Sequence, residues 1–278
     1  MRNPVRMDSE STTHQHICNS MPMHSEEHHN DIDLDPEFAD PELQPLTHVE
    51  RLNVDTIIVS DIHLGSEVSR AKPLVQLLRT HAFRRLILNG DVFDGLNFKR
   101  LSKDDWKFLS FMRKLSNPRK GIDVIWVVGN HDGGVADILS HLLGVPVFEE
   151  YVWEMHGKTL LAIHGHQFDK WVTTHPLITS VASSFYYFFQ KIDPKHKASR
   201  FVKRTSKKFL RMSAKVADEA SRHGRTAHDA AVVFAGHTHH AMDIMHDGVR
   251  YVNSGSWTDK PSHFIIVTHE GEVTVMEA

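Results

Sequence analysis

Five short strings of metal-donor residues punctuate the chain in order: Asp61 and His63 in SDIHLG, Asp91 in NGD, Asn130 in GNHD, His164 in HGH, and His237 and His239 in GHTH. Hard oxygens and imidazoles make up the whole set, and that ordered pattern is the wiring of a two-metal hydrolase. Imidazole with carboxylate suits manganese, iron or zinc better than calcium, and the lack of thiolate argues against a structural zinc. Seven donors suffice for two adjacent ions that share one carboxylate. Asp91, alone in its string, is the natural bridge. A lone GD or DxH is ordinarily a turn or a helix cap, as Asn89 and Asp94 in NGDVFDG are read here. GHTH is more specific, because alternate residues of an extended segment point to one side and present both imidazoles together.

Each string begins where a short apolar run stops: residues 56–60 (TIIVS), 86–89 (LILN), 124–128 (VIWVV), 160–163 (LLAI) and 231–234 (AVVF). Continuous apolar runs bounded by Gly and polar residues read as strands buried on both faces. The donors are therefore expected at the carboxyl ends of central strands, where open sheets gather ligands from several loops. Farther on, residues 248–257 (GVRYVNSGSW) read as a strand and turn. Residues 263–267 and 273–276 read as a hairpin over Glu270 and Gly271.

With these strings, residues 54–278 resemble a calcineurin-like metallophosphoesterase. The resemblance implies an α/β fold, a four-layer α-β-β-α sandwich with the dinuclear site at the strand ends. It also implies that Asp61, His63 and His239 hold one metal, that Asn130, His164 and His237 hold the other, and that Asp91 bridges. Two divalent ions about 3.5–4 Å apart hold a bridging hydroxide and neutralise an attacked phosphate. Phosphoryl transfer then asks mainly for positioning and charge stabilisation. In this reading the cofactors are two divalent ions, Mn2+ foremost with Fe or Zn as alternatives. His131 stabilises the transition state or protonates the leaving oxygen, and Asp132 orients its imidazole. His166 either touches substrate or satisfies a loop.

About seventy residues separate HGH from GHTH, more than the metal site needs. Residues 177–189 are apolar and aromatic, too short for a bilayer span of about 20 residues. Phe201, Thr205, Phe209, Met212, Val216 and Ala220 then form one helical stripe, with Lys203, Arg204, Lys207, Lys208 and Arg211 around it. This helical insertion, at about 170–226, reads either as plain packing or as a lid. The lid would take a lipidic phosphoester substrate, with His166, Lys203, Arg204 and Lys207 as its contacts, or would touch an anionic membrane surface. Nucleic acid is the weaker partner. The layout, the HGHQFD stretch and the closing GVRYVNSGSW resemble the UDP-2,3-diacylglucosamine hydrolase branch, which implies cleavage of that lipid's pyrophosphate. That branch carries arginine where His131 stands and aspartate where His166 stands. His131 is the form of general phosphomonoesterases and phosphodiesterases, the alternative reading. A noncatalytic membrane-surface module is the third, and the intact ligand set speaks against it.

The chain has 278 residues, 40% of them hydrophobic, enough for one sizeable core at 51–278. Residues 1–50 carry eleven acidic residues against Arg2 and Arg6, with scattered His and no apolar periodicity, and read as a disordered leader rather than a secretory signal. Its histidines, His14, His16, His24, His28 and His29 among them, have loose metal binding as their sharper reading. The leader holds −9 of the chain's net −3, leaving the body at +6, which suits an anionic substrate. Cys18 is the one cysteine, so no disulfide framework exists. A cytoplasmic location, with peripheral contact at the inner membrane face, is expected.

Overall fold

The structure, a computed structural model, describes residues 52–134, 136–169 and 207–278. The leader, the apolar stretch 177–189 and the basic residues Lys203 and Arg204 lie outside the described residues. The side chain of Lys207 does as well.

Two sheets carry the body. The first has the order β11-β10-β1-β2-β3-β4, built from β1 (Leu52–Val59), β2 (His81–Asn89), β3 (Asp123–Val127), β4 (Val147–Phe148), β10 (His263–Val267) and β11 (Val273–Glu277). The second has the order β5-β6-β7-β9-β8, from β5 (Glu150–Met155), β6 (Lys158–Ile163), β7 (Val232–Ala235), β8 (Met242–His246) and β9 (Val249–Asn253). Strands β1, β2 and β3 run parallel in one sheet, and β6, β7 and β9 run parallel in the other. The β10–β11 hairpin forms as expected.

Successive residues of a strand face opposite sides, and here each side is apolar. Ile57 and Val59 of β1 join Leu86 and Leu88 of β2 in a core with Leu74 and Leu78 of α1 (Ala71–Thr80) and Phe108 and Met112 of α2 (Lys103–Leu115). Ile58 and Ile87 face the other way and meet Leu160, Ala162, Val232 and Phe234 of the second sheet. Leu161, Ile163, Val233 and Ala235, on the far side of that sheet, pack on Ala217 and Ala220 of α4 (Lys207–His228). Three apolar slabs between four layers are the expected α-β-β-α sandwich. A third helix, α3 (Ala136–Leu143), closes the first slab through Ala136 and Leu143.

Helix α4 carries the end of the insertion. It runs to His228, past the expected limit of 226, and from Ser213 onward it is a structural layer. Its buried face is Ser213, Val216, Ala217, Ala220, Ser221 and Gly224, while Met212 is half-buried. The small residues let the helix lie close: a Cβ on Gly224 would meet Val233 Cγ2 at 2.4 Å. Packing is thus the role of this part of the insertion. Among the described residues no helix is long and apolar enough to cross a membrane.

Candidate metal centre

All seven expected donors follow the carboxyl ends of parallel strands. Asp61 and His63 follow β1, Asp91 follows β2, Asn130 follows β3, His164 follows β6, and His237 and His239 follow β7. The first sheet thereby supplies every oxygen donor and one imidazole, and the second supplies three imidazoles. The loops are spliced by backbone bonds: Asp61 N–H donates to Gly90 O at 3.0 Å, His63 N–H to Asp91 O at 3.0 Å, and Gly236 N–H to His164 O at 3.0 Å.

Two groups of the expected donors converge, and His131 joins His63 and Asp91 in a third. Asp61, His63 and His239 form one, with His239 Nε2 at 3.1 Å from Asp61 Oδ1 and at 3.3 Å from His63 Nε2. The other holds Asp91, His164 and His237, with Asn130 Oδ1 at 3.1 Å from His237 Nδ1. Asp91 Oδ2 stands 3.3 Å from His164 Nε2 and 3.8 Å from His63 Nε2, between the two groups.

The tautomers follow from the outer bonds. His164 Nδ1–H donates to Asn89 O at 2.9 Å, which leaves Nε2 to face Asp91. His237 Nε2–H donates to Asp169 Oδ2 at 3.2 Å, leaving Nδ1 as a lone pair that faces the Asn130 oxygen. Asp61 Oδ1 and His164 Nε2 are buried without a hydrogen bond. Carboxylate and imidazole atoms held this close share either protons or a cation, and divalent cations satisfy every such pair at once. The residues therefore fit two metals.

Electrostatics agree. Burial opposes ionisation of Asp91, but charged His164 beside it overrides this and holds its carboxyl well below the usual range. Burial likewise opposes Asp61, yet His239 brings it down to about 2. For His164 burial disfavours the charged form, while Asp91 more than compensates and raises it to about 10. These carboxylates demand a neighbouring cation, proton or metal.

The backbone is strained at the donors. Asp61, His63, Asp91, His237 and His239 all have φ between 49° and 63°, a region where non-glycine residues are uncommon and concentrate at functional sites. Glycines then permit the close approach. A Cβ on Gly90 would lie 2.1 Å from His164 Nδ1, and one on Gly129 would lie 2.3 Å from Asp91 Oδ1.

His131 stands beside the centre. Its ring centroid is 5.0 Å from that of His63, and its Nδ1–H donates to Asp94 O at 3.2 Å, which turns Nε2 the other way. The expected support from Asp132 takes a different form. Its oxygens accept from Phe93 N–H (3.1 Å), Trp126 Nε1–H (3.2 Å) and Gly129 N–H (2.9 Å), so it shapes the turn rather than the imidazole. The physical reason is burial. Asp132 is fully enclosed under the loop, and burial, then Asp91, raises its carboxyl to about 6. The ring of His166 lies 5.5 Å from His164 and 6.4 Å from His237, and burial, reinforced by those two imidazoles, lowers it to about 4.

Three supporting residues escaped the sequence reading. Asn89 holds His164 through its carbonyl and sends its amide across to Ile163 O and Phe234 O at 3.3 Å each. Asp94 holds His131 through its carbonyl, and its Oδ1 lies 3.6 Å from His63 Nδ1. Asp169 fixes His237. Only Asp169 left a signal, as the closing residue of HGHQFD.

The family model for the "Calcineurin-like phosphoesterase superfamily domain" matches residues 54–272, the whole span that carries the donors. The chain belongs to that superfamily. Membership in the calcineurin-like phosphoesterases supports a hydrolase acting on phosphoester bonds, and the family typically binds divalent metals. Among solved structures, an archaeal phosphodiesterase aligns at 15% identity and TM-score 0.44, covering 80% of this chain and 99% of that one. The phosphoesterase YfcE from E. coli aligns at 15% identity and TM-score 0.43, covering 80% and 97%. Vps29 from Entamoeba histolytica complexed with zinc aligns at 16% identity and TM-score 0.37, covering 80% and 97%. No curated protein gives a significant match. The superfamily match does not single out the UDP-2,3-diacylglucosamine hydrolase branch.

Proposed function

We propose that the protein is a dinuclear metal-dependent phosphoesterase acting on anionic phosphomonoesters or phosphodiesters. The carrying observation is the position of Asp91 Oδ2 between His164 Nε2 and His63 Nε2, at 3.3 and 3.8 Å, with a donor group on either side. Asp61, His63 and His239 would hold one ion, Asn130, His164 and His237 the other, and Asp91 both. Manganese is our first choice, with iron and zinc as alternatives. When bound, such a pair of ions lowers the pKa of water and neutralises phosphate charge.

The chain's own groups do the rest. His131 N–H donates to Asp91 Oδ1 at 2.8 Å and keeps that carboxylate turned toward both donor groups. In its doubly protonated form the His131 ring donates Nδ1–H to Asp94 O and offers Nε2–H to substrate. As hydroxide, its proton already given up to solvent, adds to phosphorus and the bond to the leaving oxygen breaks, that Nε2 proton passes to the departing oxygen. Asn89 and Asp169 hold His164 and His237 in the tautomers the reaction needs.

The finer expectation, cleavage of the UDP-2,3-diacylglucosamine pyrophosphate with anionic-membrane contact, rests on a lid that includes Lys203, Arg204 and Lys207. The described site neither needs it nor supports it. One comparison tests both readings: manganese-loaded protein on bis-p-nitrophenyl phosphate, p-nitrophenyl phosphate and UDP-2,3-diacylglucosamine, with Asp91→Ala as the blank. Turnover of the aryl esters supports the phosphoesterase, and release of UMP adds the lipid reading. No turnover on any of them with manganese, iron or zinc rejects both.

A further inference from the structure

A second group of metal donors lies apart from the seven. Glu150 opens β5, while His223 and His228 stand in the last part of α4. Both imidazoles aim Nε2 at one carboxylate. His223 Nε2 is 2.9 Å from each Glu150 oxygen, and His228 Nε2 is 2.7 Å from Oε2. The two rings meet edge to face with centroids 5.5 Å apart, and one donor atom from each residue lies within 4.8 Å of the others. The three side chains are 28–32% exposed, so water reaches them.

We propose that Glu150, His223 and His228 form a separate zinc site that pins the end of α4 to β5. Two imidazoles and one carboxylate are a donor set that zinc takes, with water in the fourth position. The Nε2 atoms already converge on the carboxylate, so zinc replaces the shared protons without moving the backbone. The place gives the site its use. Glu150 pairs in register with Ile163, the residue before His164, and the His223 ring packs 5.6 Å from Phe168, the residue before Asp169. Zinc here fastens α4 to the strand and turn that carry His164, His166 and Asp169. In this proposal the ion serves as a clamp on a loop of the main centre.

The test uses the full chain, loaded with zinc and freed of loosely held metal by gel filtration, with metal and protein quantified by plasma mass spectrometry. Glu150→Gln, His223→Gln and His228→Gln are compared with wild type, so that zinc at the main centre and at the histidines of residues 1–50 cancels. Each variant is expected to hold one zinc fewer per chain and to lose part of the zinc-induced rise in Tm, with unchanged kcat on an aryl phosphate at saturating manganese. Equal zinc content in wild type and every soluble variant overturns the proposal. The wild type also decides alone. Hydrogen exchange across residues 223–228 should slow at least several-fold on adding zinc to manganese-loaded protein, and an unchanged rate overturns the site even if no variant folds.

Discussion

Asp169 Oδ2 sits 3.2 Å from His237 Nε2 and so decides which nitrogen of that ring faces Asn130. Removing such an outer partner usually lowers metal affinity about 10–100-fold. Asp169→Ala should therefore need that much more manganese for half-maximal activity, with kcat largely recovered at saturation. Asp169→Asn keeps an acceptor oxygen and should fall between it and wild type. A manganese titration of activity reads both, and equal curves for wild type and Asp169→Ala would remove Asp169 from the centre.

His131→Ala separates ligand from proton donor. The bond that steadies Asp91 comes from the His131 backbone N–H, which alanine retains. Metal content should stay at the wild-type level while kcat drops about 10²–10⁴-fold, the usual contribution of a positioned acid or base. Loss of metal along with turnover would make His131 a ligand.

Two glycines of the site loops should respond in opposite ways. Gly90 has φ 86°, and a Cβ there would overlap the His164 ring, whereas a Cβ on Gly133 meets nothing within 4 Å. Gly90→Ala should lose metal and be destabilised by at least about 1–3 kcal/mol, the usual range for enforced backbone strain. Gly133→Ala should match wild type in thermal melting and metal analysis.

Away from the centre, Arg84 Nε–H donates to Asp55 Oδ2 at 2.8 Å. Burial opposes ionisation of Asp55, but Arg84 and Thr56 outweigh it and lower the carboxyl below its ordinary 3.8. A lowered folded-state pKa stabilises above the unfolded value, and the gain disappears as pH falls through the folded one. Because Arg84 is half exposed and solvent screens the pair, the gain is about 1 kcal/mol at most. Thermal melts should show Asp55→Asn less stable than wild type at pH 7, with the gap closing below about pH 4 as the carboxylate protonates. A gap that persists at pH 2.5 would assign the loss to packing.

The strand-end positions of the candidate donors were legible because parallel strands buried on both faces leave continuous apolar runs, and the polar residues that interrupt them stand out. Leu86, Ile87 and Leu88 read as one run, although Ile87 faces the second sheet and its neighbours face the helices. Asn89 and Asp94 hold His164 and His131 through main-chain carbonyls, which no side-chain pattern betrays, and both look like ordinary turn formers. The left-handed backbone at Asp61 or His239 has no signature in residue type either. Helix α4 was placed by its spacing, but its buried face turned toward Ala217, Ser221 and Gly224, because the sheet below accepts only small groups. The pairing of Glu150 with His223 and His228 joins residues more than seventy positions apart and exists only once β5 lies beside the helix.

Each donor group draws from both sheets, so the apolar slab between them works as a caliper. Its jaws are the loop ends, and its setting is the bulk of Ile58, Ile87, Phe234 and Val252. Close-packed interiors transmit strain rather than absorb it. Trimming or enlarging one of these side chains, though none carries a donor atom, would reset the gap between the two donor groups. If the proposed ions bind there, the preference among divalent ions of different radius would be adjustable from the hydrophobic core, with every candidate ligand left in place.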